Sequence, residues 1–241
     1  MTSLVLTDAK LFIAGNNLTG QMNALALDYS ADMLDETTFG ATTRINKGGL
    51  KSVVGNHQGL WDSASATAPD PVLFARIGTA DVPVVIAPEG GDAGDRAYLF
   101  RAIHSEYNPG GAVGELMGFS VSMEGSGGQP LIQGRLLHNG SATGNVTGTA
   151  FQLGALTATQ FLYAALHVFS GTGSFIVKVQ SSSDEAFTSP NDRITFATVA
   201  TGTAVASEWA TRVAGAITDT WWRITATNPN TRNFAVAVGI Q

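Results

Sequence analysis

Between Tyr98 and Glu124 apolar and polar residues alternate along two successive limbs, and a chain that does this has few ways to fold. On the first limb Tyr98, Phe100, Ala102 and His104 share one face, with Leu99, Arg101, Ile103 and Ser105 on the other. On the second, Met117, Phe119, Val121 and Met123 oppose Gly118, Ser120, Ser122 and Glu124. A period of two belongs to a strand, so the stretch predicts an antiparallel pair. Asn108-Pro109-Gly110-Gly111 predicts the reversal, proline contributing a fixed φ and glycine access to positive φ. No catalytic constellation lies within it.

What the hairpin belongs to follows from size and surface chemistry. A chain of 241 residues suits one large β domain or two of roughly 100–140 residues. With 28 glycines and only 13% charged residues, it predicts strands joined by many turns and a surface carried by Ser, Thr and Asn. So few charges suit a surface covered by neighbouring subunits, although a secreted β-sandwich shares the composition. The absence of cysteine excludes disulfide and thiolate chemistry. No basic segment followed by an apolar run opens the chain, and no apolar run reaches membrane-spanning length, so a soluble protein without a secretory signal is expected.

Charge is unevenly placed. Up to Ser141 there are 14 acidic and 8 basic residues, a net −6; beyond it, 5 of each give zero. An acidic surface repels phosphate, which disfavours tight nucleic-acid binding by the first part and permits DNA to slide past it.

In chain order, Leu4 to Ile13 predicts an opening strand or arm ended by Gly15-Asn16-Asn17. Ala24 to Leu34 alternates Leu25, Leu27, Tyr29, Ala31 and Met33 against Ala26, Asp28, Ser30 and Asp32, a half-buried strand with Asp28 and Asp32 on one face. At about 13 Å apart they are too distant for paired-carboxylate glycoside hydrolysis. Asp35 to Gly49 is polar and threonine-rich and predicts a long loop, in which Phe39 and Ile45 are exposed unless a partner covers them. Alternation returns from Leu50 to Trp61, with His57 as a strand residue. A short helix is predicted around Val72–Ile77, with Asp70 as cap, Pro71 in the first turn and Gly78 as stop.

Val82 to Ala87 is a strand that Pro83 places at an edge or that pairs only after the proline. Glu89 to Asp95 carries three carboxylates among glycines but lacks the ligand ladder of a calcium loop, so a hairpin tip is expected. Leu131 to His138 is a further strand, and Ser141 to Thr149 has linker composition. Leu162–Phe169, Ser174–Gln180, Ile194–Thr198, Trp209–Val213, Trp222–Ala226 and Phe234–Ile240 predict short strands at regular spacing, as in a sandwich or jelly roll. Trp209 and Trp221 are candidate exposed aromatics, with stacking surfaces for sugar rings. The four histidines stand singly, and no phosphate-binding loop or nucleophile elbow occurs, so no enzymatic activity, cofactor or stoichiometric metal is expected.

Three stretches within the first 141 residues resemble, in their order, the tail tube proteins of long-tailed bacteriophages. They are Thr37-Thr38-Phe39-Gly40 after the acidic strand, Gly49-Leu50-Lys51 leading to Leu60-Trp61-Asp62, and Tyr107 to Glu115 running into Phe119-Ser120-Val121-Ser122. Leu162 to Val168 and Asp192 to Phe196 are similar to the extra β domain of some such virion proteins. The resemblance implies a mainly β chain, with a tail-tube-type β-sandwich or barrel and one short helix over 1–141 and a C-terminal β-sandwich, jelly-roll or Ig-like, over 142–241 on the tube exterior. It further implies hexameric rings stacked into a tube in the virion, assembled in the host cytoplasm, with DNA passing through without specific binding and no membrane contact. Tail terminator, tape measure and distal tail proteins are the implied partners. Thr37, Thr38, Phe39, Gly40, Arg44, Ile45 and Lys47 would then stack on the adjacent ring, and Asp28 and Asp32 would face the lumen. A capsid-decorating or fibre-associated protein and a carbohydrate-binding β-sandwich are the alternatives.

Overall fold

A computed structural model describes residues 5–227 and 230–241, so Leu4 lies outside the described residues. The chain is mainly β, with one short α-helix among the described residues. In order come β1 (Lys10–Ile13), β2 (Asn16–Asn17), β3 (Met22–Asp35), β4 (Asn46–Leu60), α1 (Pro69–Phe74), β5 (Val82–Ala87), β6 (Arg96–Gly110), β7 (Gly118–Gly125) and β8 (Ile132–Ala142). They are followed by β9 (Val146–Thr147), β10 (Phe151–Gln152), β11 (Phe161–Gly171), β12 (Ile176–Ser182), β13 (Asn191–Thr195), β14 (Ala206–Trp209), β15 (Val213–Ala214), β16 (Trp221–Thr227) and β17 (Arg232–Ile240).

Two compact units emerge: Met1–Gly20, Val82–Arg101 and Ile132–Gln241 form the larger, Gln21–Asp81 and Ala102–Leu131 the smaller. These lines are drawn differently from a cut between 141 and 142. The Ser141–Thr149 stretch is not a free linker, since Ser141 and Ala142 end β8 opposite Asn233 and Arg232, and β9 pairs with β16.

In the larger unit, strands run in the order β14-β11-β17-β8-β6-β5-β1-β2. This sheet curls until its ends approach. Gly15, at φ +81°, lies so close to the Ala206 backbone that a Cβ would sit 2.3 Å from its carbonyl oxygen, and the Gly15 N–H donates to His167 Nδ1 at 3.1 Å. Inside the curl pack Phe12, Val85, Leu99, Ile132, Leu136 and Tyr163 with Ala87, Ala97, Ala165, Ala235 and Ala237. Alternating bulky and small residues is how a small barrel fills its interior. The other face of β11 and β17, with Leu162, Leu166, Phe234, Val236 and Val238, covers a second sheet ordered β10-β16-β12-β13. That sheet contributes Val177, Val179, Ile194, Trp222 and Ile224, so the C-terminal strands form a sandwich. Burial on both faces is why Leu162–Val168 and Phe234–Val238 are nearly all apolar.

Several local expectations shift. β5 lies between β6 and β1, and Pro83 precedes its paired residues Val84–Ala87, so the strand is interior and pairs after the proline. The strand expected at Ile194–Thr198 is Asn191–Thr195, and Trp209–Val213 resolves into β14 and β15. Glu89 to Asp95 forms a turn whose carboxylates accept from its own backbone, Glu89 from the Arg96 N–H and Asp95 from the Asp92 N–H.

The smaller unit is an antiparallel sheet ordered β3-β4-β7-β6 with α1 beside it. The helix starts earlier than expected, with Pro69 in its first turn after Ala68. Asp70 therefore lies within the first turn and accepts the Tyr107 hydroxyl at 2.7 Å instead of capping. Asn108, Pro109 and Gly110 continue β6, opposite Ser120, Phe119 and Gly118, and the reversal falls at Gly111–Met117 with Gly114 at φ +90°. Likewise, Asn46–Gly49 belong to β4, and the loop narrows to Glu36–Ile45.

Candidate functional site

Register places the two faces of the smaller unit's sheet side by side in cross-strand rows. Ala24, Gln58, Ser120 and Asn108 form one row; Ala26, Asn56, Ser122 and Glu106 the next; Asp28, Val54, Glu124 and Ile103 the third; Ser30 and Ser52 follow, their hydroxyls 3.0 Å apart. Asp32 continues this face opposite a bulge in β4, where Gly49 and Leu50 together oppose it. Asp28 and Asp32 do share a face, as the alternation predicts, and Glu106 and Glu124 join them. These rows hold carboxylates, amides and hydroxyls and contain no lysine or arginine.

The reverse face is apolar. Its rows are Leu25, His57, Val121 and Tyr107, then Leu27, Gly55, Met123 and His104. His57 and His104 are buried, and none of their four ring nitrogens has a hydrogen-bond partner among the described residues. Burial, and then His104 nearby, hold His57 down at about 3; burial, and then the Arg76 guanidinium, hold His104 at about 4. Both imidazoles are therefore neutral core groups at neutral pH.

Beyond Tyr29 the β3–β4 pair leaves the core and becomes a ribbon exposed on both faces from Ser30 to Gly48. Met33, Leu34, Phe39 and Ile45 are exposed on it, and Leu50 at the bulge is 82% exposed. An isolated two-stranded ribbon is marginal in water. Its loop closes with local hydrogen bonds: Glu36 N–H to the Ile45 carbonyl, Ile45 N–H to Thr37 Oγ1, and Thr37 N–H to Asp35 Oδ1. The Thr37 bonds lower the Asp35 pKa, Lys47 pairs with Glu36 at 3.0 Å, and Arg44 lies 3.9 Å from Asp35. Thus Thr37, Thr38, Phe39, Gly40, Arg44 and Ile45 are gathered on the ribbon tip and Lys47 just below it. At the sheet's other end, the β6–β7 reversal exposes Val113, Leu116 and Met117, with Leu60 exposed beside it.

Trp209 and Trp221 are both partly buried and lie on different sheets, Trp209 packed against Tyr163 at 6.3 Å between ring centroids. Trp222 is the buried member of its pair, its indole donating to the Gly154 carbonyl at 2.9 Å. Sequence reasoning did not find Asp219, which accepts from Ser181 at 2.6 Å, Arg193 at 3.0 Å and Asn191 at 3.2 Å; the Ser181 bond, burial notwithstanding, and Arg193 lower its pKa. Nothing in the spacing of these four residues announces the cluster. Among the described residues no group of three or more His, Cys, Asp or Glu side chains is arranged to hold a metal ion.

No protein-family model matches the chain, and no curated protein matches it. Among solved structures, a chain from the virion of the native gene transfer agent particle is similar over 50% of this chain and 94% of its own, at 13% identity and a TM-score of 0.40. The crystal structure of the SPP1 Dit protein, described as a paradigm of the hub adsorption apparatus in phages infecting Gram-positive hosts, is similar over 98% and 100%, at 11% identity and 0.41. A chain of the anti-feeding prophage baseplate is similar over 55% and 97%, at 9% identity and 0.37. At these scores the likenesses bear no functional argument, and the reading of function rests on the chain's own residues.

Proposed function

We propose that the chain is a non-enzymatic structural protein of a phage-type tail, which polymerises as stacked hexameric rings around a channel for DNA. The observation that carries this reading is the smaller unit's sheet, with one face on which carboxylates, amides and hydroxyls predominate and lysine and arginine are absent, one apolar face and a ribbon projecting from it without cover. β3 lies at one edge of this sheet and β6, beyond His104 where Ile77 and Gly78 pair with it, at the other, and in a four-stranded antiparallel sheet the two run in opposite directions. Joining β3 of one copy to β6 of the next therefore continues the antiparallel order and keeps the polar rows on one side. Six copies with four strands each close into a barrel about 45–50 Å across between opposite backbones. Carboxylates, amides and hydroxyls on its inner wall repel or ignore phosphate, so DNA passes without being held.

The ribbon then reaches the adjacent ring, with Phe39 and Ile45 as apolar anchors and Arg44 and Lys47 at their side. In this proposal residues 142–241 face away from the channel, and the assembled tube belongs to the virion. Negative-stain microscopy of the purified protein tests the reading: rings or tubes are expected from the parent chain, and Phe39→Ser with Ile45→Ser should leave a folded subunit that no longer stacks. Tubes formed equally well by this double variant would remove the ribbon from its connecting role.

A further inference from the structure

A groove of about 560 Å³ runs along β4 in the smaller unit, beyond the point where β7 ends. β7 pairs with β4 only over Val54–Leu60, so Leu50–Val53 has β3 on one side and this groove on the other. Tyr29, Leu50, Lys51, Val53, Gln129 and Leu131 line it. Gly125 keeps one wall low, since a Cβ there would meet Val53 Cγ1 at 2.4 Å. The Lys51 ammonium lies 5.9 Å from the centre of the Tyr29 ring and pairs with no carboxylate among the described residues. A trough with apolar walls and the unpaired Lys51 ammonium is thereby left open to solvent, with Glu124 and the polar Ser52 and Ser126 also on its lining.

The complementary shape sits at the opposite end of the same sheet. Within the β6–β7 reversal, Val113 is fully and Leu116 largely exposed, and they flank Glu115, whose carboxylate also has no partner among the described residues. The Glu115 backbone N–H donates to the Ala112 carbonyl, which holds the tip as a turn. Two apolar side chains with an acid between them match two apolar walls with an amine between them. About ten residues of strand, some 33 Å, separate Leu50 from Leu60 beside the tip, so one chain cannot fill its own groove.

Resting on the ring-stacking reading, we infer that the β6–β7 tip of one copy seats in the Tyr29–Lys51 groove of the copy beneath it, with Val113 and Leu116 against the apolar walls and Glu115 paired with Lys51. The contact joins different patches of two identical chains and therefore propagates head to tail into a column. It places a second, shorter connector at the foot of the ribbon. A charged pair that fixes register between apolar surfaces supplies specificity more than affinity.

Cross-linking tests the contact directly, because the chain contains no cysteine and introduced thiols are the only ones present. Leu50→Cys and Val113→Cys protein, mixed under mild oxidation, should give a disulfide-linked heterodimer, and the double variant in one chain should give a ladder of multimers. Each single variant alone should give little cross-linked product. In parallel, Lys51→Glu or Glu115→Lys should lower the extent of stacking about ten-fold, and the two together should restore it, as a coupled charge pair requires. If the parent chain forms tubes while the thiols fail to link and the charge reversals have no effect, the tip-in-groove contact is overturned and tube formation stands. If the parent chain forms no rings or tubes, both ideas fall.

Discussion

In the larger unit β11 and β17 are covered on both faces, one by the interior of the curled sheet and one by the second sheet, whereas in the smaller unit β3 and the first half of β4 are covered on neither face beyond Tyr29. In the proposed structural role the two regions would divide the work. One buries enough apolar surface to offset the conformational entropy of ordering itself, and its long hydrophobic strands show this. The other leaves Met33, Leu34, Phe39, Ile45, Val113 and Leu116 in water, a cost that a neighbouring chain would recover in the proposed assembly. Stability and assembly are therefore separable by mutation.

The sharpest break of that comparison is to cut the chain at Gly148. This removes β17, which pairs with β8 from Gly134 to Ala142, and β11 with it, and should leave Ile132, Leu136 and Leu137 exposed. An insoluble or unfolded product by circular dichroism is expected; a soluble, folded fragment would show that the chain up to Gly148 stands without β11 and β17. Next, Trp222→Ala opens a cavity in the sandwich and loses the indole bond to Gly154, with an expected loss of about 3–5 kcal/mol in denaturant unfolding.

Acid should act on the smaller unit more gradually. Both His57 and His104 titrate below the unfolded value of about 6.5, so the unfolded chain binds more protons as pH falls. The stability linked to them is complete above about pH 6.5 and is lost as pH drops toward 3–4, on the order of 2–4 kcal/mol for each. Hydrogen exchange at the Val121 and Met123 amides checks this, and His57→Leu with His104→Leu should flatten the dependence. The smallest effect on folding belongs to the ribbon, where Phe39→Ser and Ile45→Ser should each change subunit stability by no more than about 0.5 kcal/mol in the unassembled state.

Alternation made much of this architecture readable, and its failures share a cause. The Tyr98–Glu124 pair was legible because Phe119, Val121 and Met123 face a core while Ser120 and Ser122 do not. From Glu36 to Gly49 there is no core to face, so polar composition concealed four further residues of β4 and suggested a longer loop. The unit boundaries escaped because they depend on β17 returning to β8 across some ninety residues, Arg232 opposite Ala142, which no local pattern encodes. Asp28 and Asp32 could be placed on one face from β3 alone. Glu106 and Glu124 could not be joined to them without the register between strands, nor could the groove at Lys51 be seen before β7 was known to stop at Gly125.

The bulge opposite Asp32 gives the ribbon a mechanical character of its own. Two residues of β4 facing one of β3 interrupt the ladder and sharpen its twist, just where the ribbon has only two strands to resist bending. Gly49 sits against Asp32 there, with room for no side chain unless its neighbour gives way by a few tenths of an ångström. A strut jointed in this way yields at its base while its tip keeps its own hydrogen bonds. In the column proposed above, curvature would be taken up at these joints, and the walls between them would stay round.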